Sequence, residues 1–210
     1  MCDALPTVKP GDKKEEKNEI TSNVPSKITK KILPLWALVQ QTEALKKLEH
    51  PIVITIGSFD GNGLHTGHLR YLYAALKSGG DEARLVVGVD SDEVIKKYKK
   101  APGRPFTNEA NRCEIVAFVD GVSFVTLIHD VDEQGRWLYE LLKAVKPDIF
   151  IAEETSYTEE QKKDIAQYCG KLIILKRQDS SVSTTQYLAK IKQAEEANKD
   201  TKGGDDDATN

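Results

Sequence analysis

The most informative segment of this 210-residue chain is Ile52-Val-Ile-Thr-Ile-Gly-Ser-Phe-Asp-Gly-Asn-Gly-Leu-His-Thr-Gly-His68. Its first five residues are a continuous apolar and β-branched run, which is typical of a strand buried on both faces of a sheet. Three glycines follow, and they let the backbone turn tightly and come close to a ligand. Apolar residues then recur at helical spacing, which predicts a helix after the turn: Leu69, Leu72, Ala75 and Leu76.

The same alternation continues along the chain. We predict further strands at residues 85–89, 122–128, 149–152 and 172–175, with helices between them. The predicted helix starts are a Thr107 cap, the run Trp137–Val145, and the capping boxes that begin at Thr158 and Ser183. Buried strands that alternate with helices indicate an α/β domain with a doubly wound, Rossmann-like parallel sheet.

Composition divides the chain into four segments. Residues 1–26 and 194–210 are polar and charged, and we expect both to be disordered tails, the second of them acidic. Residues 27–50 predict an added N-terminal helical segment, and residues 51–193 the α/β domain itself.

Bulk properties exclude several classes of protein. A net charge of -3 does not suit a protein that binds nucleic acid by bulk electrostatics. The 3 cysteines are scattered, which argues against a disulfide framework and a zinc site. No apolar run is long enough to span a membrane, and the first residues do not look like a secretory signal. We therefore expect a reduced, cytoplasmic protein.

The chemistry is predicted at the turn between the first strand and its helix. Free N–H groups and the helix dipole favour phosphate there. His65 and His68 are three residues apart, so around a helix start their side chains can enter the same space. Two imidazoles that donate hydrogen bonds could stabilise charge as a phosphate ester bond breaks. A P-loop is absent, the Rossmann glycine spacing is missed, and a metal pair would lack further ligands.

These residues resemble a known family. Gly57-Ser-Phe-Asp60 followed by His65-Thr-Gly-His68 is similar to the H-x-G-H signature of the cytidylyltransferase-like nucleotidyltransferases, and Ser183-Thr-Thr185 resembles their terminal S-T-T. The likeness covers roughly two thirds of the chain. Within the family, the chain looks most like heptose-phosphate adenylyltransferases and glycerol-phosphate cytidylyltransferases.

The resemblance implies a nucleotidyltransferase-type Rossmann-like fold and an enzymatic activity. A nucleoside monophosphate would pass from ATP or CTP to a phosphorylated sugar or small alcohol, and pyrophosphate would leave. Mg²⁺ would arrive with the triphosphate rather than sit in a metal site of the protein. Nucleic acid and membrane are not expected partners, and a homodimer stays open.

The resemblance also implies roles for individual residues. The candidate catalytic residues are His65, His68, Lys97 and Arg112, with both histidines on the α- and β-phosphates. Which lysine of 96–100 binds phosphate stays open, and so does whether Asp90 lines the site or caps a helix. The candidate binding residues are Gly57, Ser58, Phe59, Asp60, Gly67, Asp90, Lys100, Arg177, Ser183, Thr184 and Thr185.

Two departures from the family pattern keep alternatives open. Four residues separate Asp60 from His65 where the family usually has two, and Ala152-Glu-Glu-Thr155 is acidic where many relatives carry glycines. The alternatives are a nucleotide-binding regulator without catalysis and an adenylyltransferase acting on flavin or nicotinamide mononucleotide. Trp137 and the Leu141/Leu142 stripe are expected in the core.

Overall fold

Five parallel strands form one sheet in the order β3-β2-β1-β4-β5. This computed structural model describes residues 24–60, 64–99, 103–177, 189–191 and 193–194. The predictions for Lys100, for Ser183–Thr185 and for the last helix start lie outside these residues, and so do the two tails except for residues 24–26 and 194. The strands are β1 (Ile52–Gly57), β2 (Arg84–Asp90), β3 (Val122–Ile128), β4 (Ile149–Glu153) and β5 (Lys171–Leu175).

The chain order reverses beside β1. β2 pairs with one side of β1 and β4 with the other, so the sheet grows in opposite directions from its first strand. In open α/β sheets a ligand crevice opens at this reversal, beyond the carboxyl ends of the strands. The fold therefore places the candidate site at the ends of β1, β2 and β4.

Seven helices lie between residues 26 and 168, and the described residues 189–191 and 193–194 are helical as well. The seven are α1 (Ser26–Thr29), α2 (Leu35–Lys47), α3 (Thr66–Lys77), α4 (Asp92–Lys99), α5 (Glu109–Ala117), α6 (Glu140–Val145) and α7 (Glu159–Tyr168). None of the helices in the described ranges is long and apolar enough to cross a bilayer.

Helices cover both faces of the sheet. Val53 of β1 packs on the face that α3 and α5 cover, whereas its neighbours Ile52 and Ile54 pack on the face of α2, α6 and α7. Each of these fully buried side chains contributes about 1.5–3 kcal/mol to the free energy of folding. Successive residues of a strand point to opposite faces, so each strand contributes apolar side chains to both covered faces. The doubly wound parallel sheet predicted from the sequence is therefore confirmed.

The segment before β1 also closes an edge of the sheet. Ile32 forms a parallel bridge with Val125 of β3, and Leu33 N–H donates to the Val125 carbonyl at 2.9 Å. After this short contact α2 packs its buried Leu38 on one face of the sheet. The predicted helix in this region is therefore found as α2, and the bridge blunts an edge strand that could otherwise pair with another chain.

Helix starts differ from the sequence prediction in three places. Asn108, not Thr107, caps α5, because its side chain accepts the Asn111 N–H. Ser91 caps α4 by accepting the Val94 N–H at 3.2 Å, so Asp90 is not the cap. The third difference is in α6, which begins only at Glu140 and leaves Trp137 in the preceding loop. The capping box of Thr158 with Gln161 is confirmed.

Candidate active site

The end of β1 is a tight turn built around Phe59. Phe59 adopts a φ of 49°, in the left-handed region, and its ring is buried against the edge of the His68 imidazole at 5.6 Å. A Cβ on Gly57 would lie 3.1 Å from that ring, which explains the glycine. The turn thus packs the Phe59 ring against the His68 imidazole.

His65 and His68 lie side by side at the start of α3. Their ring centroids are 3.9 Å apart, with 24° between the ring planes. His65 is the N-cap of α3, and its Nδ1 accepts the Gly67 N–H at 3.1 Å. The Nδ1 of His68 accepts the His65 N–H at 3.4 Å. Because a neutral imidazole has one acceptor and one donor nitrogen, each ring in its neutral form carries its proton on Nε2.

The surroundings of His65 favour its neutral form. Burial lowers the pKa of His65 below 6.5, and the positive charge of Arg177 lowers it further. At neutral pH His65 therefore offers an Nε2–H donor without carrying a charge. The backbone N–H of Arg177 donates to Glu154 at 3.1 Å.

Arg112 lies behind this turn rather than on the surface. Its side chain is fully buried, and its guanidinium donates to the carbonyls of Ser58, Asp90 and Thr107 at 2.7, 2.6 and 2.9 Å. A fourth bond joins it to the Asp92 carboxylate at 2.7 Å. Arg112 therefore ties the ends of β1 and β2 to the loop before α5, and its contact with acceptor or phosphate stays a prediction.

Asp60 holds the loop that carries Arg104. Its Oδ1 accepts the N–H groups of Phe106 and Thr107 at 2.8 and 3.3 Å, and Arg104 lies 3.9 Å from its Oδ2. The carboxylate is buried. Asp60 thus has a structural role, because it holds the Arg104 loop at the end of β1. It has this role although four residues, rather than the usual two, separate it from His65.

A pocket of about 380 Å³ opens beside this turn, at the carboxyl ends of β1, β2 and β3. Ser58 donates to Asp90 at 2.9 Å, and both line the pocket. The other lining residues are Ile56, Gly57, Val94, Ile95, Tyr98, Ile128, Asp130, Val131, Trp137, Ser156, Tyr157 and Gln161.

The structure brings only part of the predicted set together. The turn residues, the two histidines and Asp90 gather at the ends of β1 and β2. Lys97 does not face the histidines, because its ammonium contacts Glu93 at 2.9 Å and the Asp132 carbonyl at 3.5 Å. Gly67 is buried in the first turn of α3 and donates only to His65 among the bonds described. The roles of Lys100, Ser183, Thr184 and Thr185 stay predictions.

The sequence did not predict which residues line the pocket. Trp137 packs against the core as expected, and it also lines the pocket, where its ring stacks on Tyr157 with centroids 5.5 Å apart. Leu141 and Leu142 are in the core as expected. Asp130 was also missed, although it comes two residues after the end of β3, where ligand-binding residues of such sheets gather.

Comparison with known proteins identifies a family whose sequence model this chain matches. A sequence model described as cytidylyltransferase-like matches residues 54–198. The bifunctional protein HldE of Desulfatibacillum aliphaticivorans is 35% identical over 164 residues, which are 77% of this chain and 31% of that protein. The HldE of Geotalea uraniireducens is 35% identical over 165 residues, again 77% and 31%.

A shorter relative matches nearly end to end. The D-beta-D-heptose 1-phosphate adenylyltransferase of Bordetella bronchiseptica is 32% identical over 165 residues, which are 78% of this chain and 94% of that protein. The chain thus spans less than a third of the bifunctional relatives' length but almost the whole of this one.

Proposed function

The chain belongs to the cytidylyltransferase-like family, and from that membership we propose that it is a nucleotidyltransferase acting on a sugar phosphate. It would transfer a nucleoside monophosphate from a triphosphate to the phosphate of the acceptor and release pyrophosphate. ATP is the proposed donor, because a relative matched over 94% of its length is named an adenylyltransferase. The heptose 1-phosphate in that relative's name makes a sugar phosphate the first acceptor to test.

The observation that carries this proposal is the His65–His68 pair. Two Nε2–H donors at the start of α3 suit the oxygens of a phosphate, and the positive end of the helix dipole adds to their attraction. Their Nδ1 atoms are fixed by the backbone, so little reorganisation is needed when charge develops.

The proposed reaction is an in-line displacement at the α-phosphorus of the triphosphate. An oxygen of the acceptor phosphate attacks the α-phosphorus in line, the bond to the bridging oxygen breaks, and pyrophosphate leaves with that electron pair. His65 and His68 donate hydrogen bonds to the phosphate oxygens as negative charge moves onto the leaving group. The positive charge of Arg177, which lowers the pKa of His65, would attract the same phosphates. No covalent intermediate on the protein is needed.

The acceptor would enter from the pocket beside β1 and β2. Ser58 belongs both to the turn that carries the histidines and to the pocket wall, so an acceptor in the pocket would reach towards the α-phosphate. A volume of about 380 Å³ lies in the usual range of small-molecule sites. Binding both substrates across the end of β1 would supply the proximity that the reaction needs.

Enzymes of this family generally use a divalent cation, and we propose Mg²⁺ brought in by the triphosphate. Among the described residues, no three His, Cys, Asp or Glu side chains are grouped as metal ligands. Asp90 offers one carboxylate at the pocket, which fits the one or two protein ligands that Mg²⁺ takes beside phosphates. The ion would neutralise phosphate charge.

Pyrophosphate release tests the proposal. The protein is incubated with Mg²⁺, with ATP or CTP in turn, and with a panel of phosphorylated sugars and alcohols, and the His68→Ala variant is compared with wild type. The matched control is His50→Asn, because His50 lies at the opposite end of β1 and contacts the Glu82 carbonyl. Release that needs one nucleotide and one acceptor, persists in the control and collapses in His68→Ala is the expected result. Triphosphate binding without release from any pair would instead indicate a regulator.

A further inference from the structure

Asp130 is a buried carboxylate in the wall of the pocket, and its position is fixed. Its Oδ2 accepts the Trp137 indole N–H at 2.7 Å and the Glu140 backbone N–H at 2.6 Å. Only 3% of the residue is exposed. With one oxygen held by two donors, the carboxylate cannot rotate without breaking both bonds.

The second oxygen of Asp130 has no such partner. Oδ1 is buried and accepts no hydrogen bond from any described residue. A buried carboxylate oxygen without a donor costs free energy, so it calls for a ligand that brings one. Burial raises the pKa of Asp130 to about 6, which leaves the group ionised and a strong acceptor above that pH.

The rest of the pocket restricts what that ligand is. The described residues of its lining include Asp90 and Asp130 but no lysine, arginine or histidine, so this part of the wall does not favour the phosphate of an acceptor. The part of the acceptor in the pocket must instead be uncharged or positive and rich in hydrogen-bond donors. Hydroxyl and amide side chains are spread around the wall, at Ser58, Ser156 and Gln161, which suits several hydroxyl groups better than one ammonium.

Aromatic rings complete the wall. Trp137 and Tyr157 are stacked at 5.5 Å with 25° between their planes. Aromatic side chains beside carboxylate and hydroxyl groups suit a ligand that has both apolar C–H groups and hydroxyl groups, which is the chemistry of a sugar. The indole that helps form this wall is the same one that fixes Asp130.

From these contacts we propose that Asp130 determines acceptor specificity by accepting, at Oδ1, a hydrogen bond from one hydroxyl of the sugar. This inference rests on the proposed nucleotidyl transfer and adds to it a residue that selects the acceptor. The sugar lies in the pocket, and its phosphate extends past Ser58 towards the two histidines. An acceptor that lacks that hydroxyl leaves the oxygen unpaired in the complex.

The test crosses one variant with a series of substrates. Initial rates of pyrophosphate release are measured with ATP, D-mannose 1-phosphate and its singly deoxygenated analogues, for wild type and Asp130→Asn. In Asp130→Asn the amide oxygen can still accept from Trp137 and Glu140, but an NH₂ group replaces Oδ1. The control is Asp132→Asn, which removes a charge from the same loop outside the pocket lining.

Wild type and the control are expected to lose about 10- to 100-fold in kcat/KM on one deoxy analogue, the effect of one hydrogen bond to a charged group. Asp130→Asn should treat that analogue and the parent sugar alike. Equal discrimination in wild type and Asp130→Asn would overturn the proposal. A wild type that uses ethanolamine phosphate and rejects every sugar phosphate would also overturn it, while keeping nucleotidyl transfer. No release with any acceptor would overturn the proposed function itself.

A crystal structure of the wild-type protein with D-mannose 1-phosphate gives a second result that does not depend on a variant. We expect a sugar hydroxyl at hydrogen-bond distance, about 2.5–2.8 Å, from Asp130 Oδ1. A sugar bound away from Oδ1 would count against the inference even if catalysis is observed.

Discussion

The imidazole rings of His65 and His68 are stacked 3.9 Å apart, and each ring uses its Nδ1 to accept a backbone N–H of the same helix start. Helix capping and the proposed chemistry therefore use opposite nitrogens of one side chain. Capping satisfies N–H groups that would otherwise lack a partner and leaves Nε2–H as the donor. This division of tasks allows the two functions to be separated by substitution.

His65→Asn should remove activity while keeping the fold. An asparagine oxygen can replace Nδ1 as the cap of α3, since Asn is among the best N-cap residues, but it offers no donor in the place of Nε2–H. We expect kcat to fall about 10²- to 10³-fold, with a change of unfolding free energy below about 1 kcal/mol. Pyrophosphate release and urea denaturation measure the two quantities. A His65→Asn variant that keeps full activity would contradict the donor role.

The protonation of His65 should respond to ligand. Its pKa lies below 6.5 in the free protein because of burial and of Arg177, so protonation disfavours the folded state as the pH falls below 6.5. A bound triphosphate favours the charged imidazole and should raise the pKa. NMR titration of the His65 ring, without and with ATP, measures both values. Calorimetry in two buffers near pH 6.5 should show proton uptake on binding, and proton release would contradict this assignment.

Removing Arg112 should destabilise the fold. Arg112→Met leaves three carbonyls and the Asp92 carboxylate without their donor, and we expect a loss of about 3 kcal/mol or more in unfolding free energy. The control is Arg136→Met, because Arg136 is exposed and its ion pair with Asp132 is worth at most about 1 kcal/mol. Urea denaturation compares the two variants. Equal, small losses would show that Arg112 is not the tie between β1 and β2.

Asp130 should affect stability in a pH-dependent way. Its pKa is raised from 3.8 to about 6, so between these values the folded state holds a proton that the unfolded state releases. The contribution of Asp130 to stability therefore falls as the pH rises from 4 to 6 and is level above that. The neighbouring charges are Glu140, which raises the pKa, and Lys143, which lowers it.

Denaturant midpoints of wild type and Asp130→Asn at several pH values check this expectation. The difference between the two proteins should shift in favour of the variant as the pH rises across 4–6. A constant difference over the whole range would mean that the pKa of Asp130 is not raised.

Local patterns in the sequence predicted the fold and the centre of the site. A buried strand, a glycine turn and a helix start are read from neighbouring residues, and so is the spacing that brings His65 and His68 to one place. The capping box at Thr158 was found for the same reason. The first residue of a helix is harder to predict from sequence. Thr107 and Asn108 are both good N-cap residues, and only the path of the backbone selects Asn108.

The α/β class, the family motifs and the histidine pair could all be predicted from the order of residues, because each is visible as a pattern along the chain. Three features required the folded structure: the burial of Arg112, the contact of Lys97 with Glu93, and the pocket wall of Trp137, Tyr157 and Asp130. These residues lie on different elements and meet because parallel pairing brings the carboxyl ends of β1, β2, β3 and β4 to one edge of the sheet. The register of these strands follows from burying apolar side chains on both faces of the sheet. It therefore involves residues that are far apart in the sequence.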